Sequence, residues 1–92
     1  MPKKIIAIDD SPTARLQIED TLGKRGYAVQ TFSRIRDFVF TAFNDPEVGL
    51  ILMDIEMPHL NGNTLCRRLK DDDKTKNIPI ILLSGLPKTD IK

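Results

Sequence analysis

Four short runs of apolar or strand-forming residues divide the chain, and each begins 22 to 28 residues after the one before it. The first and third runs are apolar at every position, which is typical of strands that are covered on both faces. In the fourth run a proline stands near the start, where a missing N–H is tolerated. We therefore predict four strands, at Ile5–Ile8, Tyr27–Phe32, Leu50–Met53 and Ile78–Ser84.

The segments between these runs carry apolar residues at helical spacing. Ser11-Pro12 predicts the start of the first helix, with a hydroxyl N-cap and proline at the first helical position, and Gly23 and Gly26 end it. Ser33 is expected to cap the second helix. The inward faces are predicted to carry Ala14, Ile18 and Leu22 in the first helix, Ile35, Phe38, Val39 and Ala42 in the second, and Leu65 and Leu69 in a third helix over residues 63–70.

The resulting βαβαβαβ order predicts an α/β fold. Strands joined by helical crossovers form a parallel, doubly wound sheet with helices on both faces. Ligands of such sheets bind beyond the carboxyl ends of the strands, where the strand order reverses. The charged connection over residues 70–76 is expected to be a solvated surface loop. We predict a single domain over residues 1–92.

Composition narrows the class of protein without naming a function. The 92 residues are 40% hydrophobic and 29% charged, with a formal net charge of +1. This charge gives no general attraction to nucleic acid or to an anionic membrane, and no apolar run is long enough to span a bilayer. The single cysteine, Cys66, cannot form an internal disulfide. A soluble cytoplasmic protein is expected.

Acidic and hydroxyl side chains follow the predicted strands at one edge of the sheet. Asp9 and Asp10 close the first strand, Asp54 closes the third, and Ser84 closes the fourth. Three acids at one spot repel one another, and Mg²⁺ with oxygen ligands would relieve that repulsion. A carboxylate there could accept a phosphoryl group, with Ser84 donating to a phosphoryl oxygen. The alternative is that Asp9 and Asp10 favour only the positive end of the first helix and that Asp54 is a loop acid.

Three segments resemble the receiver domain of two-component response regulators: IIAIDDSPTAR, LILMDIEMPHLNG and IPIILLSG. The resemblance implies a flavodoxin-like sheet with strand order 2-1-3-4, an order that the residues alone do not give. It implies that Asp54 is the phosphoacceptor and that Asp9 and Asp10 hold Mg²⁺. The backbone carbonyl of Glu56 is implied as a further metal ligand, and Ser84 as the hydroxyl that contacts the phosphoryl group and switches upon phosphorylation.

The sequence departs from the receiver pattern after the fourth strand. The family continues through a fifth strand that ends in a lysine and through a last helix, whereas this sequence ends eight residues after Ser84. Lys88 is more simply interpreted as a solvent-facing charge than as the family lysine. We expect weaker phosphoryl binding and a bare fourth strand. Two explanations stay open: the sequence is part of a longer chain, or two copies pair through that strand or exchange elements.

Two functions from different classes follow from these patterns. The first is a phosphoacceptor signalling module, with a histidine kinase or phosphotransfer protein as donor, a downstream protein as target, and no direct contact with nucleic acid or membrane. The second is a receiver-like interaction or dimerisation module that is not phosphorylated. An enzyme is not expected beyond self-phosphorylation and dephosphorylation of Asp54, since the sequence holds no GxxxxGK[ST] phosphate loop.

Overall fold

A computed structural model describes residues 3–54 and 62–83 of the chain, and for residues 62 and 63 it describes the backbone only. Strands and helices alternate along the described residues, as the apolar pattern predicts. No helix in this part of the chain has the length and apolar content needed to cross a bilayer. The elements are β1 (Lys4–Ile8), α1 (Pro12–Gly23), β2 (Ala28–Phe32), α2 (Ile35–Asn44), β3 (Val48–Asp54), α3 (Gly62–Asp71) and β4 (Ile80–Leu83).

The four strands form one parallel sheet in the order β2-β1-β3-β4. Every strand pair is parallel, and β1 and β3 occupy the two central positions. The chain runs from β1 to β2 on one side and then crosses back to β3 on the other side of β1. The strand order therefore reverses between β1 and β3, which is the point where doubly wound sheets bind ligands. The predicted doubly wound fold and strand order are confirmed.

One face of the sheet carries the larger apolar core, packed against α2 and α3. Phe38 and Ala42 of α2 and Leu65 and Leu69 of α3 are buried, as their helical spacing predicts. The ring of Phe38 meets that of Phe32 edge to face, with the ring centroids 6.1 Å apart. The sheet contributes the remaining buried members of this cluster, which are Ile6, Ile8, Val48, Ile51 and Met53.

The opposite face of the sheet is covered by α1. Its core is smaller and consists of Ile5, Ala7 and Leu52, against which Ile18 and Leu22 of α1 pack while remaining partly exposed. Within the described residues β4 pairs only with β3. Ile81 and Leu82 of this strand are 49% and 37% exposed, so the expectation of a bare fourth strand holds for the described part of the chain.

Of the two predicted helix caps, the first is confirmed and the second is wrong. Ser11 is the N-cap of α1: its Oγ accepts a hydrogen bond from the N–H of Ala14 at 3.2 Å, and Pro12 takes the first helical position. The prediction that Ser33 caps the second helix is wrong. The residue before the first turn of α2 is Arg34, and no side chain caps that helix. Ser33 lies one residue too early to reach the first free N–H groups of α2.

The connection after α3 is more ordered than its charge predicts. Thr75 is fully buried, and its hydroxyl donates to the carbonyl oxygen of Leu69. The Lys70 ammonium donates to the carbonyl oxygens of Lys76 and Ile78, at 3.2 and 2.9 Å. The prediction of a merely solvated loop is therefore wrong for Thr75, because these contacts satisfy carbonyl groups at the end of α3 and before β4.

An ion pair joins the amino-terminal edge of the sheet to the end of α2. The Lys4 ammonium lies 2.5 Å from Oδ2 of Asp45 and also donates to Gln30 at 3.1 Å. Oδ1 of Asp45 accepts from the N–H of Glu47 at 2.9 Å. The hydrogen bond from Lys4, and after it the one from Glu47, lowers the pKa of Asp45 below its ordinary value of 3.8.

We expect Asp45→Asn to destabilise the fold in a pH-dependent way. Because the pKa of Asp45 is lowered by folding, its stabilising effect is present above pH 3.8 and is lost as the pH falls through the lowered value. Urea unfolding should therefore give a gap between the wild type and the variant at pH 7 that closes in acid. A gap that does not change with pH would contradict this account. Asp20→Asn, at an exposed pair with Lys24 on α1, serves as the control and should give little gap at either pH.

Candidate functional site

The three predicted acids meet at the carboxyl edge of the sheet. Ile8 of β1 lies beside Met53 of β3 in the parallel register. The residues that follow, Asp9 and Asp54, therefore emerge side by side at the point where the strand order reverses. Asp10 is the next residue of the loop that leads from β1 to α1.

Carboxylate oxygens of the three acids form a tight group. One oxygen from each of Asp9, Asp10 and Asp54 lies within 4.8 Å of the others. Asp9 and Asp54 are only 3% and 2% exposed, whereas Asp10 is exposed to solvent. The group thus has a buried floor of two carboxylates and one solvent-facing member, so a ligand could reach it from one side.

Hydrogen bonds fix Asp9 in the turn between β1 and α1. Its N–H donates to the carbonyl oxygen of Phe32 in β2 at 3.1 Å. Its Oδ1 accepts from the N–H of Ser11 at 2.9 Å, and its carbonyl oxygen accepts from Nη1 of Arg15 at 2.7 Å. Backbone and side chain of Asp9 are therefore both held, which lowers the entropy lost when a ligand binds.

Asp54 occupies a different kind of position, as the last residue of a central strand. β3 is paired with β1 on one side and with β4 on the other, and Asp54 itself lies opposite Leu83 of β4. The buried residues Ile51, Leu52 and Met53 precede it. Strand pairing on both sides gives Asp54 a rigid base, which is what a group that must meet a substrate in one orientation requires.

The donor set of this cluster fits a hard divalent cation. Three carboxylates in such proximity repel one another, and burial of two of them raises that cost because the local dielectric is low. A cation with oxygen ligands offsets the repulsion. Mg²⁺ in particular binds through a small number of carboxylates and retains several waters, and the exposed side of the cluster leaves space for those waters.

The structure brings together Asp9, Asp10 and Asp54 as the sequence predicts, while two further predicted residues cannot be compared. Glu56 and Ser84 lie outside the described residues. The contact of Arg15 with Asp9 was missed at the level of sequence. Its only sequence signal is the position of an arginine in the first turn of the helix that follows the two acids, six residues after Asp9.

A family model decides between a receiver domain and an unrelated doubly wound fold. The model described as the response regulator receiver domain matches residues 5–91. The chain belongs to this family. Receiver domains are signalling modules of two-component systems rather than classical enzymes, they bind Mg²⁺ at their acidic site, and they interact with histidine kinases and downstream effectors. The predicted resemblance is confirmed.

Similar receivers occur in proteins of different size. PilH from Pseudomonas aeruginosa is 38% identical over 82 residues, which cover 88% of this chain and 66% of PilH. The response regulator PleD from Caulobacter vibrioides is 34% identical over 87 residues, covering 94% of this chain and 19% of PleD. The chain thus spans about a fifth of PleD and just under two thirds of PilH.

A solved receiver domain has a structure similar to that of this chain. The receiver domain of the sensor histidine kinase PA1611 from Pseudomonas aeruginosa superposes with a TM-score of 0.81 at 26% identity, over 98% of this chain and 73% of that domain. It is described with a magnesium ion coordinated in its active site cleft. This chain therefore has the fold of a receiver domain, and the PA1611 receiver domain, which shares that fold, holds its magnesium ion in the active site cleft.

Proposed function

We propose that this receiver domain is a phosphoacceptor that takes a phosphoryl group on Asp54 in a Mg²⁺-dependent reaction. The observation that carries the proposal is the convergence of Asp9, Asp10 and Asp54 within 4.8 Å at the carboxyl edge of the sheet. Of the three, Asp54 is the acceptor because it is buried and is itself part of a central strand, paired with Leu83 of β4, whereas Asp9 follows the end of β1. Asp10 lies in the loop between β1 and α1 and faces solvent.

In the proposed reaction, a phosphoryl group passes from the donor to the carboxylate of Asp54. A carboxylate oxygen of Asp54 attacks phosphorus and forms an O–P bond, while the bond between phosphorus and the donor breaks. The electron pair of that bond stays with the donor, which is an imidazole nitrogen of a phosphohistidine or the carboxylate of a small acyl phosphate. The product is an aspartyl phosphate at Asp54. The rigid base of Asp54 on β3 supplies the orientation that such in-line attack requires.

Mg²⁺ would be held by the carboxylates of Asp9, Asp10 and Asp54, with the backbone carbonyl of Glu56 as a further ligand implied by the family resemblance. When bound, Mg²⁺ neutralises charge on the phosphoryl oxygens and on the acids. The residues of the chain supply the remaining functions: Asp9 and Asp10 hold the metal from the buried and the exposed side of the cluster, Asp54 attacks, and the hydroxyl of Ser84 donates to a phosphoryl oxygen.

The partners follow from this chemistry and from the family. The donor is a histidine kinase or a phosphotransfer protein, and the output is a contact with a downstream protein. PA1611 combines a receiver domain with a sensor histidine kinase, which supports a kinase as donor. Because two-component phosphotransfer of this kind takes place inside the cell, we propose a cytoplasmic location.

The proposal is tested by intact-mass measurement after incubation with a small acyl-phosphate donor. The wild-type chain should gain the mass of one phosphoryl group with Mg²⁺ and none when a chelator removes the metal. An ordinary receiver domain, treated in parallel, shows that the donor is competent. If that domain is labelled and this chain is not, the chain acts instead as a non-phosphorylated interaction module.

The exposed strand β4 further supports a homodimer. Ile81 and Leu82 are exposed, and the four-residue strand carries no charge or proline that would discourage pairing with another strand. We propose that two copies associate through this edge or exchange elements. Light scattering at micromolar concentration should give the mass of two chains, and Ile81→Lys should return it to one. A cooperatively folded wild-type monomer would rule out the dimer.

A further inference from the structure

Arg15 connects the first turn of α1 to the end of β1. Its Nη1 donates to the carbonyl oxygen of Asp9 at 2.7 Å, in a partly buried position. Its own N–H donates to the carbonyl oxygen of Ser11 at 3.0 Å. The side chain therefore spans the same turn that its backbone closes, and the position of the guanidinium group is fixed relative to Asp9.

The carbonyl oxygen that Arg15 binds belongs to the peptide unit between Asp9 and Asp10. Rotation of this peptide unit would change the direction in which the chain carries Asp10. The N–H of Asp9 is held by Phe32 and its carboxylate by Ser11, so Arg15 supplies the contact on the carbonyl side. The positions of Asp9 and Asp10, two of the three acids in the cluster, thus depend on the turn that Arg15 holds closed.

The charge of Arg15 and its hydrogen bond have opposite effects on a cation at the cluster. A positive guanidinium nearby repels Mg²⁺, whereas the hydrogen bond holds the acids in the arrangement that Mg²⁺ would bind. Arg15 is only partly buried, so solvent and salt screen the repulsion. A short, charge-assisted hydrogen bond acts locally and is not screened in this way.

We infer that Arg15 is a positioning residue for the metal site, whose hydrogen bond to Asp9 increases the affinity of the acidic cluster for Mg²⁺. The inference rests on the proposed Mg²⁺-dependent function. Outer contacts that orient metal ligands typically contribute about 10- to 100-fold in affinity. For Arg15 we expect the lower end, about tenfold, because the repulsion by its charge offsets part of the effect.

The test is the dissociation constant of Mg²⁺, measured by ¹H–¹⁵N NMR titration of the folded protein. Arg15→Met keeps the apolar stem and removes both the charge and the donor groups, and it should weaken Mg²⁺ binding about tenfold. Arg15→Lys keeps a charged donor and should recover part of the lost affinity. Arg25→Met removes the same charge just beyond the other end of α1 and should leave the affinity unchanged.

The direction in which Arg15→Met changes the affinity for Mg²⁺ tests the inference. If Arg15 acted only through its charge, Arg15→Met would bind Mg²⁺ more tightly. If Arg15 only stabilised the fold, the melting temperature would fall and the affinity would stay unchanged; either result overturns the inference. Should Arg15→Met not fold, Arg15→Ala, which likewise removes both the charge and the donor groups, is judged by the same criterion. A wild-type chain that binds no Mg²⁺ would instead contradict the proposed function, and the inference with it.

Discussion

Asp54→Asn is expected to abolish phosphoryl incorporation and, at the same time, to stabilise the metal-free protein. Asparagine has nearly the shape of aspartate, but its amide is not a nucleophile for phosphorus. It also removes one of two buried negative charges from the cluster, which should raise the free energy of unfolding by about 1–2 kcal/mol. For a chain of this size, that corresponds to a rise in melting temperature of roughly 4–16 °C.

The melting temperature should be measured with and without Mg²⁺, together with intact mass after incubation with an acyl-phosphate donor. Mg²⁺ should stabilise the wild type more than the Asp54→Asn variant, because the variant has lost one ligand. Asp73→Asn is the matched control: the side chain of Asp73 is 93% exposed in the loop after α3, so phosphorylation and stability should both stay near the wild-type values. Normal labelling of Asp54→Asn would show that the acceptor is another residue.

Phe38→Ala is expected to destabilise the domain severely. Phe38 is fully buried in the larger core, between the sheet and α2, where it contacts Phe32 edge to face. Truncation of a buried phenylalanine typically costs about 3–5 kcal/mol, because transfer energy is lost and a cavity remains. Since small domains have total stabilities of about 5–15 kcal/mol, we expect a melting temperature at least about 12 °C lower or a chain that is partly unfolded at 25 °C.

Phe40→Ala gives a closely matched comparison, because Phe40 lies two residues further along the same helix. Its side chain is 67% exposed, so the same truncation leaves no cavity, and the change in stability should stay within about 0.5 kcal/mol. Thermal and urea unfolding of both variants, followed by circular dichroism, test the predicted packing of α2. Equal destabilisation by the two substitutions would contradict the assignment of the buried face.

The features of this fold that follow from periodicity could be predicted from the sequence. The spacing of Phe38 and Ala42 predicts the inward face of α2, and the pair Ser11-Pro12 predicts the cap of α1. Convergence of Asp9 with Asp54 also follows, because the carboxyl ends of parallel strands share one edge. These are consequences of backbone geometry, which repeats along the chain and is therefore visible in the order of residue types.

Features that depend on single side-chain contacts could not be predicted. The hydroxyl of Thr75 binds a carbonyl group of α3, and the ammonium of Lys70 binds carbonyl groups just before β4, whereas composition alone makes these residues look solvated. Ser33 has the residue type of a cap, but the helix begins two residues later, at Ile35. The contact between Arg15 and Asp9 depends on one rotamer of a long side chain, which no spacing rule specifies.

Mapping the position of the phosphoryl group tests the central claim most directly. After treatment with Mg²⁺ and an acyl-phosphate donor, borohydride reduces an aspartyl phosphate to homoserine, which marks the acceptor permanently. Trypsin then separates the acids, because Asp9 and Asp10 fall in the peptide Ile5–Arg15 and Asp54 in the peptide Asp37–Arg67. We predict homoserine at position 54 and nowhere else. Homoserine at position 9 or 10, or none in a protein that has gained a phosphoryl group, would contradict the assignment of Asp54 as the phosphoacceptor.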